Sequence, residues 1–243
     1  MKNKNYILMV FEGEKTEKII VDNLRKYYLN EKSNVIIYGL YCNVIYDVYE
    51  KSHDEEGELV YDILPILQEI PQNKDILKDI TRDQVSEIYL FFDHDAHSHL
   101  SDIKKLDLML EHFNNETEYG KLYISYPMVE SIKHIDSKEL TYLITDNKKY
   151  KKTVNDETKK EYIQINKYTK DIWQEIIFKH SKRLGFLFTD KLILLDNIFT
   201  QKEIYMQQLK KYIKPDNKVI ILSSFPIFLI DYYGYKAFKT NKL

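Results

Sequence analysis

Two apolar runs constrain the fold more than any other feature of this chain: 6-YILMVF-11 and 88-IYLFF-92, each ending abruptly at an acid, Glu12 and Asp93. An uninterrupted apolar run of five or six residues suits a strand covered on both faces, as strands of a parallel sheet are. Between and after them, 34-NVIIYGLY-41 and 121-KLYISYP-127 are rich in β-branched and aromatic residues and read as further strands. Helical spacing fills the gaps. Ile19, Ile20, Leu24, Tyr27 and Tyr28 mark a first helix, with Glu14 or Thr16 as its cap. Residues 59–70 read as a helix with a proline near its middle, and 101–113 as a helix capped by Ser101.

The alternation of strand and helix over the first 127 residues predicts an α/β layer with a mostly parallel sheet flanked by helices. Beyond it the pattern changes. Residues 157–180 and 200–213 carry amphipathic helical spacing, and 218–224 suits a last strand. The expected organisation is therefore a core over 1–135 and a mainly helical, basic extension over 136–243, packed on the core or separate from it.

Charge divides along the same line. Residues 1–130 hold 14 Lys/Arg against 25 Asp/Glu, whereas 131–243 hold 22 against 13, so a net charge of −2 conceals an acidic half and a basic half. The first suits cations and the second phosphates; surface drift in a Lys-rich sequence is the competing explanation. The single cysteine, Cys42, excludes a disulfide framework and a cysteine-based zinc site, which points to the cytoplasm. No apolar stretch approaches the eighteen residues of a membrane span, and the N-terminus lacks the features of a signal peptide, so no membrane partner is expected.

Acids recur where predicted strands end. Glu12 follows the first, Asp93 and Asp95 follow the third, and Glu130 lies three residues past the fourth. In parallel sheets, groups beyond the carboxyl ends of strands gather in space. Two or three carboxylates with room for water and a phosphate suit Mg²⁺, a hard, octahedral ion that keeps part of its water. The three histidines in 93-DHDAHSHL-100, His94, His97 and His99, stand beyond the strand and read as flanking groups rather than zinc ligands.

Taken together, 12-EGEKTE-17 at the end of the first strand and 93-DHD-95 at the end of a later one resemble the two motifs of the Toprim domain. The resemblance spans roughly residues 5–130 and is closest to the OLD-like, RloB-like and abortive-infection nucleases of phage defence. It implies a Toprim-like fold and a nuclease that uses Mg²⁺, with Mn²⁺ as an alternative ion. Glu12 becomes the essential glutamate, acting as general acid/base or metal ligand, Asp93 and Asp95 hold metal, and Glu17 is an additional metal carboxylate. Gly13 leaves room for phosphate to approach. The segment 126-YPMVES-131 is similar to a stretch in RloB-like proteins and adds Glu130 to the metal set. Lys15 or Lys133 is positioned in the sequence to offset transition-state charge, and the lysines of 146-DNKKYKK-152, Lys148, Lys149, Lys151 and Lys152, with Tyr150 interleaved as a stacking ring, suit a nucleic-acid backbone.

The expected partners are DNA or RNA, a homo-oligomeric copy and an ATPase, since nothing in this chain resembles a nucleotide-binding P-loop. Two rivals remain open. The hhhhDxD pattern also fits a haloacid-dehalogenase-like phosphohydrolase, although His97 replaces the usual Thr or Val and the first strand stands some eighty residues ahead. A Toprim-like subunit that binds without turnover is the second rival.

Overall fold

The computed structural model describes residues 5–29, 35–42, 45–53, 62–94, 100–144 and 147–239. Strand β1 (Asn5–Phe11) leads to helix α1 (Thr16–Tyr27) and strand β2 (Val35–Tyr41). Helices α2 (Ile45–Lys51), α3 (Ile63–Glu69) and α4 (Lys74–Leu77) precede β3 (Val85–Asp93). Helix α5 (Leu100–His112), β4 (Asn114–Asn115) and β5 (Gly120–Ser125) follow. The five strands form one sheet in the order β2-β1-β3-β5-β4, with β1 parallel to both β2 and β3 and β4 antiparallel to β5. The chain is thus α/β, with a mostly parallel sheet flanked by helices, as the apolar runs require.

The remainder is mostly helical: β6 (Thr141–Leu143), α6 (Asn147–Glu157), α7 (Lys160–Ile163), α8 (Lys170–Thr189), α9 (Gln201–Gln208), α10 (Lys214–Asp216), β7 (Lys218–Ile220), α11 (Ser224–Tyr233) and α12 (Lys236–Lys239). Strands β6 and β7 pair antiparallel as a separate ribbon. Two compact units result, one of residues 1–92 with 108–122, the other of 93–107 with 123–243.

In the first unit the core lies on the central strands. Leu8, Met9 and Val10 are fully buried, and the Phe11 and Phe91 rings meet at 5.9 Å between centroids. Helix α1 covers the sheet with Ile20, Val21 and Leu24, the spacing of one helical face. Buried Asn73 fixes the end of β2, accepting from the Tyr41 N–H at 2.9 Å and donating to the Tyr41 carbonyl at 2.8 Å. Pairing both backbone groups through one amide leaves neither stranded away from water.

The second unit is organised by α8, whose Trp173, Ile176, Leu184 and Leu187 are buried. Helix α11 buries every residue from Ser224 to Ile230. The Ser125 and Ser224 hydroxyls lie 2.8 Å apart, and Tyr126 and Leu222 exchange two backbone hydrogen bonds.

Several local expectations are corrected. Helix α1 begins at Thr16 with Lys15 in the capping position, and no side chain caps it. Helix α5 starts at Leu100, which puts Ser101 inside it rather than at its cap. Pro65 occupies the first turn of α3 behind the Asp62 cap, where its missing N–H costs nothing. The continuous helix expected over 157–180 is broken. Tyr162 and Tyr168 are buried, the Tyr168 hydroxyl donates to the Tyr162 carbonyl at 2.6 Å, and Thr169 then caps α8 by accepting from the Ile172 N–H. Burying two tyrosines outweighs the helical spacing there. The last strand shortens to Lys218–Ile220: Leu222 pairs instead with Tyr126, and Ser224 already begins α11. No helix among the described residues is long and apolar enough to cross a membrane.

Candidate functional site

In the first unit the acidic turn directly follows β1. Glu12 is half-buried and Glu14 is exposed, accepting from the Gln72 amide at 3.2 Å. Glu17 is 6% exposed in the first turn of α1, where the helix dipole favours its charge. Its carboxylate lies against Gly13: a Cβ on that glycine would stand 2.5 Å and 2.8 Å from the two Glu17 oxygens. The glycines with positive φ among the described residues are Gly120 and Gly234, so Gly13 is not needed for its backbone angle. It is needed because Glu17 occupies the space of a side chain.

The backbone sets the position of this turn relative to the next strand. Phe11 is level with Phe91 in the parallel register of β1 and β3, so both strands run out at the same edge of the sheet. Glu12 is the residue after Phe11, and Asp93 closes β3. Asp95, His97 and His99 lie outside the described residues.

In the second unit, Asp93 is half-buried and His94 is 4% exposed. The His94 N–H donates to the Ser125 carbonyl at 2.9 Å, and its ring packs beside Tyr126 and Tyr205 at 5.3 Å and 6.4 Å between centroids. This histidine therefore belongs to the packing of the unit. Glu130 sits in the 3-10 helix Val129–Lys133, with its side chain 13% exposed. One of its oxygens is 3.6 Å from the Lys151 ammonium, and the other is buried with no hydrogen-bond partner. A buried carboxylate oxygen left without a donor is costly, and it suits a ligand that brings positive charge.

Tyr150 is 1% exposed, which corrects its assignment as a stacking ring for bases. Helix α6 turns Tyr150 and Val154 inward against Met128 and Ile221, while Lys148, Lys149, Lys151 and Lys152 are exposed. The lysines and the tyrosine thus occupy opposite sides of one helix. Burial pushes the Tyr150 phenol well above its ordinary value; Arg183 opposes the shift, and the Glu130 and Asp93 carboxylates reinforce it. Glu130 and Asp93 therefore act on the same phenol, an association that their separation of 37 residues does not suggest.

A polar network, absent from the sequence reading, supports this region. The Tyr150 hydroxyl lies 3.3 Å from His134 Nδ1, and His134 Nε2 lies 2.9 Å from Glu157. With Nε2–H donating to the carboxylate, Nδ1 accepts from the phenol. Burial lowers the affinity of His134 for a proton and Arg183 adds to this, against the opposing pull of Glu157. Arg183 is 2% exposed; burial lowers its pKa to about 10, and it donates to the Ile221 carbonyl at 3.3 Å and to Ser137 at 2.9 Å. His180, fully buried, has its affinity for a proton lowered by burial and then by Arg183. The readable signal was in α8, where His180 and Arg183 fall on the apolar stripe of Trp173, Ile176, Ile177, Leu184 and Leu187. Polar residues on a buried stripe are worth explaining.

Of the two lysines considered for transition-state charge, Lys133 donates to Asn155 at 3.4 Å and Lys15 is exposed ahead of α1. Among the described residues, no group of three or more His, Cys, Asp or Glu side chains is arranged to hold a metal ion. The chain matches no family model, no curated protein and no solved structure.

Proposed function

We propose that this chain is a metal-dependent nuclease of Toprim type that hydrolyses phosphodiester bonds of DNA or RNA. The observation that carries the reading is the parallel pairing of β1 with β3, level at Phe11 and Phe91, with Glu12 directly after one strand and Asp93 at the end of the other. Carboxylates beyond the ends of adjacent parallel strands are the usual way an open α/β sheet assembles a site. The buried, partnerless oxygen of Glu130 supports a cation beside the acids of the second unit, with Asp93 and Glu130 as its holders there. Glu12 and Glu17 are the corresponding acids of the first unit, and Asp95 completes the set implied by the resemblance. Magnesium, when bound, neutralises phosphate charge and makes water a better nucleophile.

The chain's own residues supply the remaining functions. Glu12 exchanges the proton of the attacking water. The exposed lysines of α6, Lys148, Lys149, Lys151 and Lys152, track a phosphate backbone, and Lys151 is already drawn toward Glu130. An effector role in phage defence under an ATPase partner follows from the same resemblance.

The test is cleavage of plasmid DNA and of tRNA with Mg²⁺ or Mn²⁺, comparing wild type with Glu12→Ala and Asp93→Ala. Each substitution lowers the rate by about 10²-fold or more, the usual effect of removing one charge-stabilising group. Cleavage at the wild-type rate in both variants rejects the reading.

A further inference from the structure

A second cluster of chemically competent groups lies in the first unit, around the end of α2. His53 Nδ1 is 2.5 Å from the Tyr49 carbonyl and 3.3 Å from the Ser52 hydroxyl, which itself donates to that same carbonyl at 2.8 Å. A carbonyl only accepts, so Nδ1 carries the hydrogen and His53 Nε2 bears a lone pair. That Nε2 is buried and has no hydrogen-bond partner. The ring is held on two sides: its centroid is 4.1 Å from that of Tyr49 and 5.0 Å from that of His112, the last residue of α5. Tyr49 also packs edge-on to His112 at 5.6 Å and to Phe113 at 6.3 Å.

The helix end accounts for only half of this arrangement. A histidine that donates to the last carbonyls of a helix is an ordinary C-terminal contact, but it explains Nδ1 alone and leaves Nε2 buried at a cost. One imidazole nitrogen donating to a backbone carbonyl while the other presents a lone pair is how metal-binding histidines are oriented. A second imidazole at 5.0 Å supplies a ligand of the same type. Imidazole nitrogens suit zinc and its neighbours rather than magnesium.

We propose that His53 and His112 form a site for a transition-metal cation of the zinc class, with His53 Nε2 as the oriented ligand and Tyr49 as the group that orients it. Two imidazoles leave the other positions of a tetrahedral ion to water or further donors. The cation joins the end of α2 to the end of α5 and is separate from the acids that follow β1 and β3.

The experiment uses the full chain, stripped of metal with a chelator and titrated with Zn²⁺ by calorimetry, with Co²⁺ absorption as a spectroscopic check. Wild type binds one Zn²⁺ through this pair. His53→Phe and His112→Phe, which keep a ring in each packing position, each weaken that binding by at least about tenfold. Glu12→Ala and Asp93→Ala leave it unchanged, which separates this site from the proposed nuclease. Circular dichroism establishes that each variant is folded. Absence of Zn²⁺ binding by wild type, or equal binding by folded His53→Phe and His112→Phe chains, overturns the proposal.

Discussion

Gly13 and Gly185 look alike in the sequence, but they protect different things. A methyl group at Gly13 would stand 2.5 Å from a carboxylate oxygen of Glu17, the end of a side chain that can rotate. A methyl group at Gly185 would stand 1.9 Å from the Ile193 carbonyl oxygen, part of a backbone that cannot. The first glycine keeps a place for an acid four residues away. The second lets the segment after α8 lie directly on the helix. Around Gly13, then, the constraint is a carboxylate side chain four residues on; in the second unit it is the backbone of a segment eight residues on, packed against the helix.

The largest effect is expected from Gly185→Ala. Alanine improves helix propensity by about 1 kcal/mol, but the collision with the Ile193 carbonyl forces the segment off the helix, and a net loss of about 2–3 kcal/mol is expected. The urea midpoint measures it. An unchanged midpoint shows that the segment moves freely and that the packing argument is wrong.

A second test concerns the polar core. His134 and His180 both have their proton affinity lowered by burial, from an ordinary value of 6.5. A base with a depressed pKa in the folded state is held neutral there, so its stabilising effect is complete above about pH 6.5 and is lost as the pH falls toward the folded-state value. Denaturation at pH 7.5 and at pH 5.5 compares the two conditions, with the second less stable. His134→Asn reduces this pH dependence. A dependence identical to wild type removes His134 from the explanation.

The smallest effect on stability is expected at the acidic turn. Gly13→Ala costs less than about 1 kcal/mol, because the end of Glu17 swings aside to admit the methyl group. The proposed nuclease activity is nevertheless expected to fall to that of Glu17→Ala, with Gly13→Ala combined with Glu17→Ala no worse than either alone. Additive losses in the double variant show that Gly13 acts independently of Glu17. A large stability loss from Gly13→Ala alone erases the contrast with Gly185.

Much of the fold was legible because its signals are local. The runs 6–11 and 88–92 carry no charged residue and no polar group beyond one tyrosine hydroxyl each, so burial was expected of them, and each ends at the acid that the proposed site uses. The helical spacing read from residue 200 opens there as α9, and the structure adds a reciprocal cap, with the Glu203 N–H donating to the Thr200 hydroxyl at 3.1 Å and Glu203 accepting from the Thr200 N–H at 2.8 Å. The interruption of 157–180 was not legible, because helical spacing continues through residues that Tyr162 and Tyr168 withdraw into the core. Tyr150 was misread for a related reason. Its neighbours are four lysines, and composition does not say which side of a helix faces inward.

The sequence by itself determined the α/β layering, the ends of the central strands and the acids that stand there, since burial periodicity and strand length act between near neighbours. Only the tertiary structure decided that the buried Tyr150 phenol feels the charges of Glu130 and Asp93, that His134 and Arg183 sit in the same core, and that Gly13 makes room for Glu17. Those arrangements depend on which distant segments share a buried volume, and the low dielectric of that volume, rather than any residue's identity, sets how strongly their charges act on one another.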